Sequence, residues 1–166
     1  MEIRKTSPCD YERVCQIYSD ARKFMQASGN PDQWGDAHPR VDLILQDIEQ
    51  GLSYVCVDRD NICAVFYYNV EVDPTYAKID GQWLNDAPYG VVHRIASSRS
   101  VKGAGDFCLR WCLKQCQNLR IDTHKDNAPM LNLLRRLEFK YCGIIWIENG
   151  DERMAYQRLG GGGPSF

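Results

Sequence analysis

Apolar residues recur along this chain with two different spacings, and these spacings predict its helices and strands. A spacing of three to four residues is typical of an amphipathic helix. It predicts about four helices: residues 9–28, residues 41–50, the segment after Gly105 and the segment that Asn127 opens. Alternating or continuous apolar runs between turn residues predict about seven strands, at residues 1–5, 53–58, 62–72, 91–95, 119–124, 139–147 and 152–159.

The resulting order, β-α-α-β-β-β-α-β-α-β-β, predicts an α/β fold of the α+β sandwich type. Its sheet is mostly antiparallel, with two βα crossovers in the second half, and is not doubly wound. The polar stretch 73–88 is longer than an ordinary hairpin connection, and such loops are often functional. We expect one domain over residues 1–159 and a disordered glycine-rich tail over residues 160–166.

Composition narrows the classes of function. The net charge is −2 and no basic tract occurs, which argues against a nucleic-acid partner. No apolar run reaches membrane length and the first residues do not resemble a signal peptide, so a cytoplasmic protein without a membrane partner is expected. The eight cysteines contain no C-x-x-C pair, so we expect free, buried thiols and no metal.

A glycine-containing turn before the third helix is the strongest local signal. Gly103 and Gly105 free the backbone between a strand and a helix, and Lys102 precedes them. Unpaired N–H groups at a helix N-terminus suit an anion such as a phosphate. The spacing fits neither the Walker A nor the Rossmann fingerprint.

Two motifs in the predicted order resemble the GNAT superfamily of N-acetyltransferases over residues 1–159. Ser100-Val-Lys-Gly-Ala-Gly105 is similar to the family's Gln/Arg-x-x-Gly-x-Gly/Ala pyrophosphate loop, and residues 127–139 are similar to its next motif, an Asn-opened helix that ends before Phe139. Three residues depart from the family: Ser100 for Gln/Arg, Glu138 for the usual Gly, and Leu134 where many members carry the tyrosine that protonates the leaving thiolate.

The resemblance implies acetyl-coenzyme A as co-substrate and no metal. It also implies that the pantetheine lies along the predicted fourth strand, where the fourth and fifth strands splay apart. The implied donor-binding residues are His93, Arg94 and Ile95 on that strand, Ser100, Val101, Lys102, Gly103, Ala104, Gly105 and Asp106 at the pyrophosphate, and Asn127 and Met130 along the pantetheine. A strand N–H near residues 93–95 is the expected donor to the oxyanion that develops.

Three residues are candidates for proton transfer. Asp122 lies where some relatives carry a catalytic glutamate, and pairing with Arg120 or capping of the next helix is the alternative reading. His93 has a suitable imidazole, although a strand histidine is more often a hydrogen-bonded core or groove residue. Tyr89 stands where the family sometimes places a glutamate base.

The amine acceptor is less specified. The candidate acceptor-binding residues are Trp34, Tyr76, Trp83 and Tyr89, with Asp73, Asp80 and Asp86 nearby in sequence. Aromatic rings and carboxylates suit a cationic amine. The alternative reading is that the rings pack a long loop and the carboxylates keep it solvated. The functions left open are acetyl transfer to a small-molecule or peptide amine, non-catalytic acyl-coenzyme A binding, and binding of another nucleotide. A homodimer is also left open.

Overall fold

A computed structural model describes residues 1–161 of the chain. Its helices and strands are β1 (Glu2–Lys5), α1 (Tyr11–Ala27), α2 (Val41–Glu49), β2 (Ser53–Asp58), β3 (Asn61–Val70), β4 (Asp80–Gly81), β5 (Gly90–Ser97), α3 (Ala104–Gln115), β6 (Asn118–Thr123), α4 (Ala128–Arg136), β7 (Lys140–Trp146) and β8 (Glu152–Leu159). Residues 162–166 of the tail that was expected to be disordered lie outside the described residues.

The eight strands form a mostly antiparallel sheet in the order β1-β2-β3-β5-β6-β8-β7-β4. The described chain divides into two compact units: residues 1–68 with 93–109, and residues 69–92 with the segment from 110 onward. Strand β5 contributes to both units because the division falls between Val92 and His93. The predicted fold class is confirmed.

Unit 1 contains β1, β2 and most of β3, with α1 and α2. Strands β1 and β2 are antiparallel, as are β2 and β3, and the register of the second pair shifts at Cys56 and Val57. The apolar stripes of the two helices are buried with these strands, as the helical spacing requires. The core consists of Val14, Ile17, Tyr18, Ile44, Val55, Ile62, Val65 and Ala96.

Unit 2 contains β4, β6, β7 and β8, the first residues of β5, and α4. The start of β5 pairs in parallel with β6 over Gly90↔Leu119 and Val91↔Arg120. Strand β8 runs antiparallel to both β6 and β7, so these two strands point the same way. The short register of β5 with β6 agrees with the predicted splay of these two strands.

One strand was not predicted. Strand β4 lies within the stretch 73–88 that was expected to be loop, and it pairs with β7. It has only two residues, Asp80 and Gly81, and therefore leaves no apolar alternation in the sequence. Gly81 and Gly143 face each other across this pair so closely that a Cβ on either would overlap the opposing backbone. Within residues 1–161 the sheet therefore has eight strands, one more than the approximate number predicted.

The cysteines are free, and the expectation that they serve as packing residues is confirmed for five of them: Cys56, Cys63, Cys108, Cys112 and Cys142 are buried. In unit 1 the Cys63 thiol donates to the Cys56 carbonyl oxygen at 3.4 Å. A hydrogen bond with the Cys108 thiol lowers the pKa of Cys56 to about 7, and burial raises that of Cys63 to about 12. Within residues 1–161, none of the helices has the length and apolar character needed to span a membrane.

Helix α4 is followed by a left-handed residue, Glu138. Glu138, which stands where the family commonly has glycine, has φ +59° and lies in the left-handed region. Its N–H donates to the Arg135 carbonyl and that of Phe139 donates to the Leu134 carbonyl, so two late helix carbonyls are satisfied. The position therefore keeps the glycine conformation although the residue has a Cβ.

Glu138→Gly is expected to stabilise the protein by about 1 kcal/mol, because a left-handed non-glycine residue costs roughly 1–2 kcal/mol. Urea denaturation of the variant and the parent measures this difference. Glu138→Ala is the matched control, since it removes the same exposed carboxylate but keeps the Cβ, and should give no comparable gain. Equal stabilisation by both variants would attribute the effect to the lost charge.

Candidate functional site

The turn from β5 into α3 belongs to unit 1, and residues 100–106 are called the cradle below. Gly103 has φ +83°, and a Cβ built on it would meet no heavy atom within 4 Å, so the space beside its Cα is open. Helix α3 begins at Ala104, and the Phe107 N–H donates to the Gly103 carbonyl at 3.0 Å. The preceding helical amides have no acceptor within the helix and carry partial positive charge. The cradle is thus suited to an anion.

Serine hydroxyls order the chain that leads into the cradle. The Ser97 hydroxyl accepts from the Arg99 N–H at 3.0 Å, and the hydroxyls of Ser98 and Ser100 are hydrogen-bonded at 2.6 Å. Arg99 is left-handed, with φ +63°, and its guanidinium carbon lies 3.7 Å from the centre of the Phe24 ring. Ser100 therefore shapes the turn, while Lys102 is exposed and free to meet an anionic ligand from solvent.

Strand β5 is interrupted at one of the predicted donor-binding residues. Arg94 has φ +52°, a left-handed conformation within an otherwise extended strand. A strand residue in this conformation breaks the regular alternation of N–H and C=O groups along the ladder. The backbone at residues 93–95, which the resemblance implied would meet the donor, is therefore irregular.

The Arg94 side chain is held by an ion pair that sequence reasoning missed. Its Nε donates to Oδ2 of Asp47 at 2.9 Å and its Nη2 donates to Oδ1 at 3.0 Å. Both side chains are largely buried, with 13% and 8% of their surface exposed. The guanidinium carbon also lies 4.6 Å from the centre of the Tyr67 ring. Asp47 was hidden from sequence reasoning because a carboxylate on an amphipathic helix is usually solvated.

Asp122, a candidate base, is engaged in unit 2. Its Oδ1 accepts a hydrogen bond of 2.6 Å from the hydroxyl of Tyr76, which is 2% exposed. Burial, and then the Asp122 charge, raise the pKa of Tyr76 well above its ordinary value, so the phenol stays protonated and donates. Burial lowers the pKa of Arg153, whereas attraction to Asp122 opposes that shift. Asp122 thus accepts from a neutral donor and attracts the buried Arg153 cation.

Trp83 and Tyr89, two predicted acceptor-binding residues, enclose an arginine of the protein itself. The Arg120 guanidinium carbon lies 4.2 Å from the centre of the Trp83 ring and 3.9 Å from that of Tyr89. Its Nη2 donates to the Asn85 carbonyl at 2.7 Å. This group is called the arginine sandwich below. A cationic acceptor could stack on these two ring faces only by displacing Arg120.

Buried amides fix the end of the 73–88 segment to the sheet. The Leu84 N–H donates to Oε1 of Gln157 at 2.8 Å, and Nδ2 of Asn118 donates to the Pro88 carbonyl at 3.0 Å. Gln157 is fully buried, and its Nε2 donates to Oδ1 of Asn118 at 2.6 Å. The segment also contains a short helix, Pro74–Tyr76. It is therefore an anchored part of unit 2.

Other predicted residues have local partners. In unit 1, the Trp34 ring packs edge-on to Tyr18 at 5.8 Å, and the half-buried His93 ring lies 5.7 Å from that of Tyr67. In unit 2, the Tyr89 hydroxyl accepts from the Asp73 N–H at 3.0 Å. The Tyr76 and Trp83 ring centres are 5.1 Å apart, so Tyr76, Trp83 and Tyr89 form one cluster.

Helix α4 is capped as its sequence predicts. Oδ1 of Asn127 accepts from the Met130 N–H at 3.2 Å, which makes Asn127 the N-cap. Leu134, at the position where many family members have the acid tyrosine, is fully buried in the core. The described structure therefore places no hydroxyl on residue 134 for protonating a thiolate.

The structure as a whole is similar to solved acetyltransferases. A GNAT-family acetyltransferase from Streptococcus agalactiae shares 26% identity, with a TM-score of 0.87, over 95% of this chain and 94% of that one. A Salmonella typhimurium protein solved with its cofactor acetyl-CoA shares 14% identity, with a TM-score of 0.63, over 99% and 96%. A phosphinothricin acetyltransferase from Sinorhizobium meliloti, in complex with acetyl-CoA, shares 16% identity, with a TM-score of 0.64, over 99% and 91%.

No protein-family model matches the sequence, and no curated protein matches it. The order of strands, the turn into α3 and the structural similarity over nearly the whole chain define an acetyltransferase fold. This structural similarity confirms the predicted resemblance to the GNAT superfamily.

Tyr76→Phe is expected to destabilise the protein by about 1–3 kcal/mol, because it removes a hydrogen bond to a charged group. Equilibrium denaturation in urea measures the loss. The matched control is Tyr156→Phe, a half-buried tyrosine of β8 whose ring packs edge-on to Tyr141 at 5.6 Å, and its cost should stay below about 0.5 kcal/mol. If the two variants lost the same stability, the bond to Asp122 would carry no net stabilisation.

Proposed function

We propose that the chain is an N-acetyltransferase that moves an acetyl group from acetyl-CoA to a primary amine of a small molecule or peptide. The amine attacks directly, with donor and acceptor bound together. The observation that carries the proposal is the open, left-handed turn at Gly103 leading into the amide-rich start of α3. This turn has the chemistry that a diphosphate requires.

Two structural neighbours support the identity of the donor, since both were solved with acetyl-CoA. The residues present fit that molecule: residues 100–106 supply backbone amides and the Lys102 charge, and Gly103 leaves open space beside its Cα. The backbone of His93, Arg94 and Ile95 would hold the pantetheine. In unit 2, Asn127 and Met130 at the start of α4 are the residues that the resemblance assigns to the pantetheine.

Acetyl-CoA supplies an activated thioester when bound. The neutral amine nitrogen forms a bond to the carbonyl carbon, the carbon–sulfur bond breaks, the nitrogen loses a proton and the sulfur gains one. The protein must hold the two groups close together, stabilise the negative charge that develops on oxygen, and move these protons. The irregular backbone at residues 93–95 would supply the N–H for that oxygen.

Asp122 is our candidate for accepting the amine proton, through a water molecule. The protonated Tyr76 hydroxyl orients its carboxylate, and Arg153 adds positive charge nearby. His93 and Tyr89 are the other candidates. Tyr89 already accepts a hydrogen bond from the Asp73 N–H, so its hydroxyl has a structural role.

The acceptor is proposed to be cationic before it loses its proton. The exposed carboxylates of Asp80 and Asp86 in the 73–88 segment attract such an amine. The arginine sandwich occupies the faces of Trp83 and Tyr89. Recognition by these residues of unit 2 would therefore use ring edges and carboxylates, with packing from Tyr76. Trp34, in unit 1, is a separate candidate.

A second candidate function is binding of acyl-CoA without catalysis. The observation that favours it is Leu134, an apolar core residue at the position of the usual acid. Release of free thiol from acetyl-CoA, measured across a panel of amines, separates the two functions. Saturable coenzyme A binding with turnover supports transfer, and binding without turnover on any amine supports the second function. Absence of coenzyme A binding would contradict both.

Gly103→Ala is expected to weaken coenzyme A binding at least about tenfold, because the left-handed conformation is strained for alanine and the turn would relax away from it. Isothermal titration with coenzyme A measures this change. Gly150→Ala is the matched control, since Gly150 also has a left-handed φ, +88°, with no heavy atom within 4 Å of a Cβ, but lies in the turn between β7 and β8.

Both glycine variants should lose about 1 kcal/mol of stability, and only Gly103→Ala should lose affinity. Equal affinity in the two variants would show that the cradle does not hold the diphosphate.

A further inference from the structure

A strained residue lies in the strand that is proposed to meet the donor. Left-handed backbone at a residue with a Cβ costs roughly 1–3 kcal/mol and persists only where surrounding contacts hold it. Arg94 is such a residue, with φ +52° inside β5. Glycine would adopt this conformation without that cost. The presence of arginine therefore means that its side chain has a use at this position.

The use visible in the structure is attachment to α2. Two hydrogen bonds join the guanidinium to both carboxylate oxygens of Asp47, and the guanidinium stacks over the Tyr67 ring of β3. A bidentate pair fixes orientation as well as distance. The Arg94 side chain is therefore held from two neighbouring elements of unit 1, and its backbone is held with it.

Stability alone accounts poorly for this pair. Taking two charges out of water is costly, and a protein with well-packed apolar residues in place of a buried ion pair is often equally or more stable. An exposed pair at the start of the same helix, Arg40 with Asp42, has 77% and 75% of its side-chain surface in solvent and avoids that cost. Burial of the pair thus costs stability, and what it provides is a fixed orientation of the two side chains.

We propose that Asp47 and the Arg94 side chain are positioning residues for acetyl transfer. By fixing the left-handed turn of β5, the pair sets the direction of the peptide groups at residues 93–95, and so aims the N–H that meets the developing oxyanion. The inference rests on the proposed function. The pair acts through the backbone and does not itself touch the reacting atoms.

Asp47→Asn tests the inference, because it keeps the shape of the side chain but removes its charge and one of its two acceptor oxygens. The kcat and KM for acetyl-CoA, and the affinity for free coenzyme A by titration calorimetry, are measured together well below the melting temperature. We expect kcat to fall about 10- to 100-fold, in line with a misdirected catalytic donor. Coenzyme A affinity should change little, since the cradle is intact.

Asp10→Asn is the matched control. Asp10 also pairs bidentately with an arginine, Arg4, at 2.7 and 3.1 Å, but this pair joins β1 to the start of α1. The Arg4 guanidinium lowers the pKa of the Asp10 carboxyl, so the pair stabilises the fold above the ordinary carboxyl pKa and loses this effect as the pH falls through the lowered pKa. Above that range Asp10→Asn should lower stability and leave kcat unchanged.

Arg94→Lys provides a second variant in case Asp47→Asn folds poorly, since it keeps the charge but loses the bidentate geometry. A similar fall in kcat with retained coenzyme A affinity would support the inference. Unchanged kcat in either folded variant would overturn it and leave the pair a purely structural role. A wild-type protein that binds coenzyme A but turns over no amine would contradict the proposed function and this inference together.

Discussion

Burial of guanidinium groups is the constraint on which the local geometry of both units depends. An arginine cannot lose its charge in a protein, so each buried arginine requires acceptors and polarisable surroundings that hold it in one place. In unit 1, Arg94 obtains them from Asp47 and Tyr67. In unit 2, Arg120 obtains them from a backbone carbonyl and two aromatic rings. Both arginines lie on strands, so their partners fix helices and loops to the sheet.

The local signals in the sequence were sufficient for most of the fold. In the helices, the spacing of apolar residues agrees with the residues that begin or end each helix. Helix α2 begins at Val41 as predicted, and α4 begins after the Asn127 cap. Strands β2 and β8 have their predicted limits, because each combines an apolar run with a sharp turn. An element limit can be predicted from sequence when the residues that determine it, such as a cap or a turn, lie within a few positions of it.

Features that depend on distant partners were not predictable. Strand β4 forms because Gly81 pairs with Gly143, about sixty residues later in the chain. A strand of two residues is too short to show an alternation of apolar and polar positions. The role of Asp47 was not predicted, since its partner Arg94 is far along the chain. Tyr76, Trp83 and Tyr89 were grouped only as candidate acceptor-binding residues, and the cation among them was not predicted, because Arg120 had been considered as a partner for Asp122. The catalytic assignments stay predictions.

The proposed donor site and the proposed acceptor site therefore depend on different parts of the structure. The cradle is local, continuous in sequence and dominated by backbone, so it tolerates Ser100 in place of a longer polar residue. The acceptor region depends on side chains brought together by pairing among β5, β6, β7 and β8. Similarity to GNAT-family structures bears most directly on the donor proposal, and the chemistry of individual side chains determines the acceptor proposal.

The arginine sandwich has a consequence for engineering. If Arg120 were shortened to alanine, the space between Trp83 and Tyr89 would match a free guanidinium ion in shape, with the Asn85 carbonyl as hydrogen-bond acceptor. Such a protein would be a receptor for added guanidine or small alkylguanidines, and its folding would respond to their concentration. The native side chain is, in this sense, a tethered ligand.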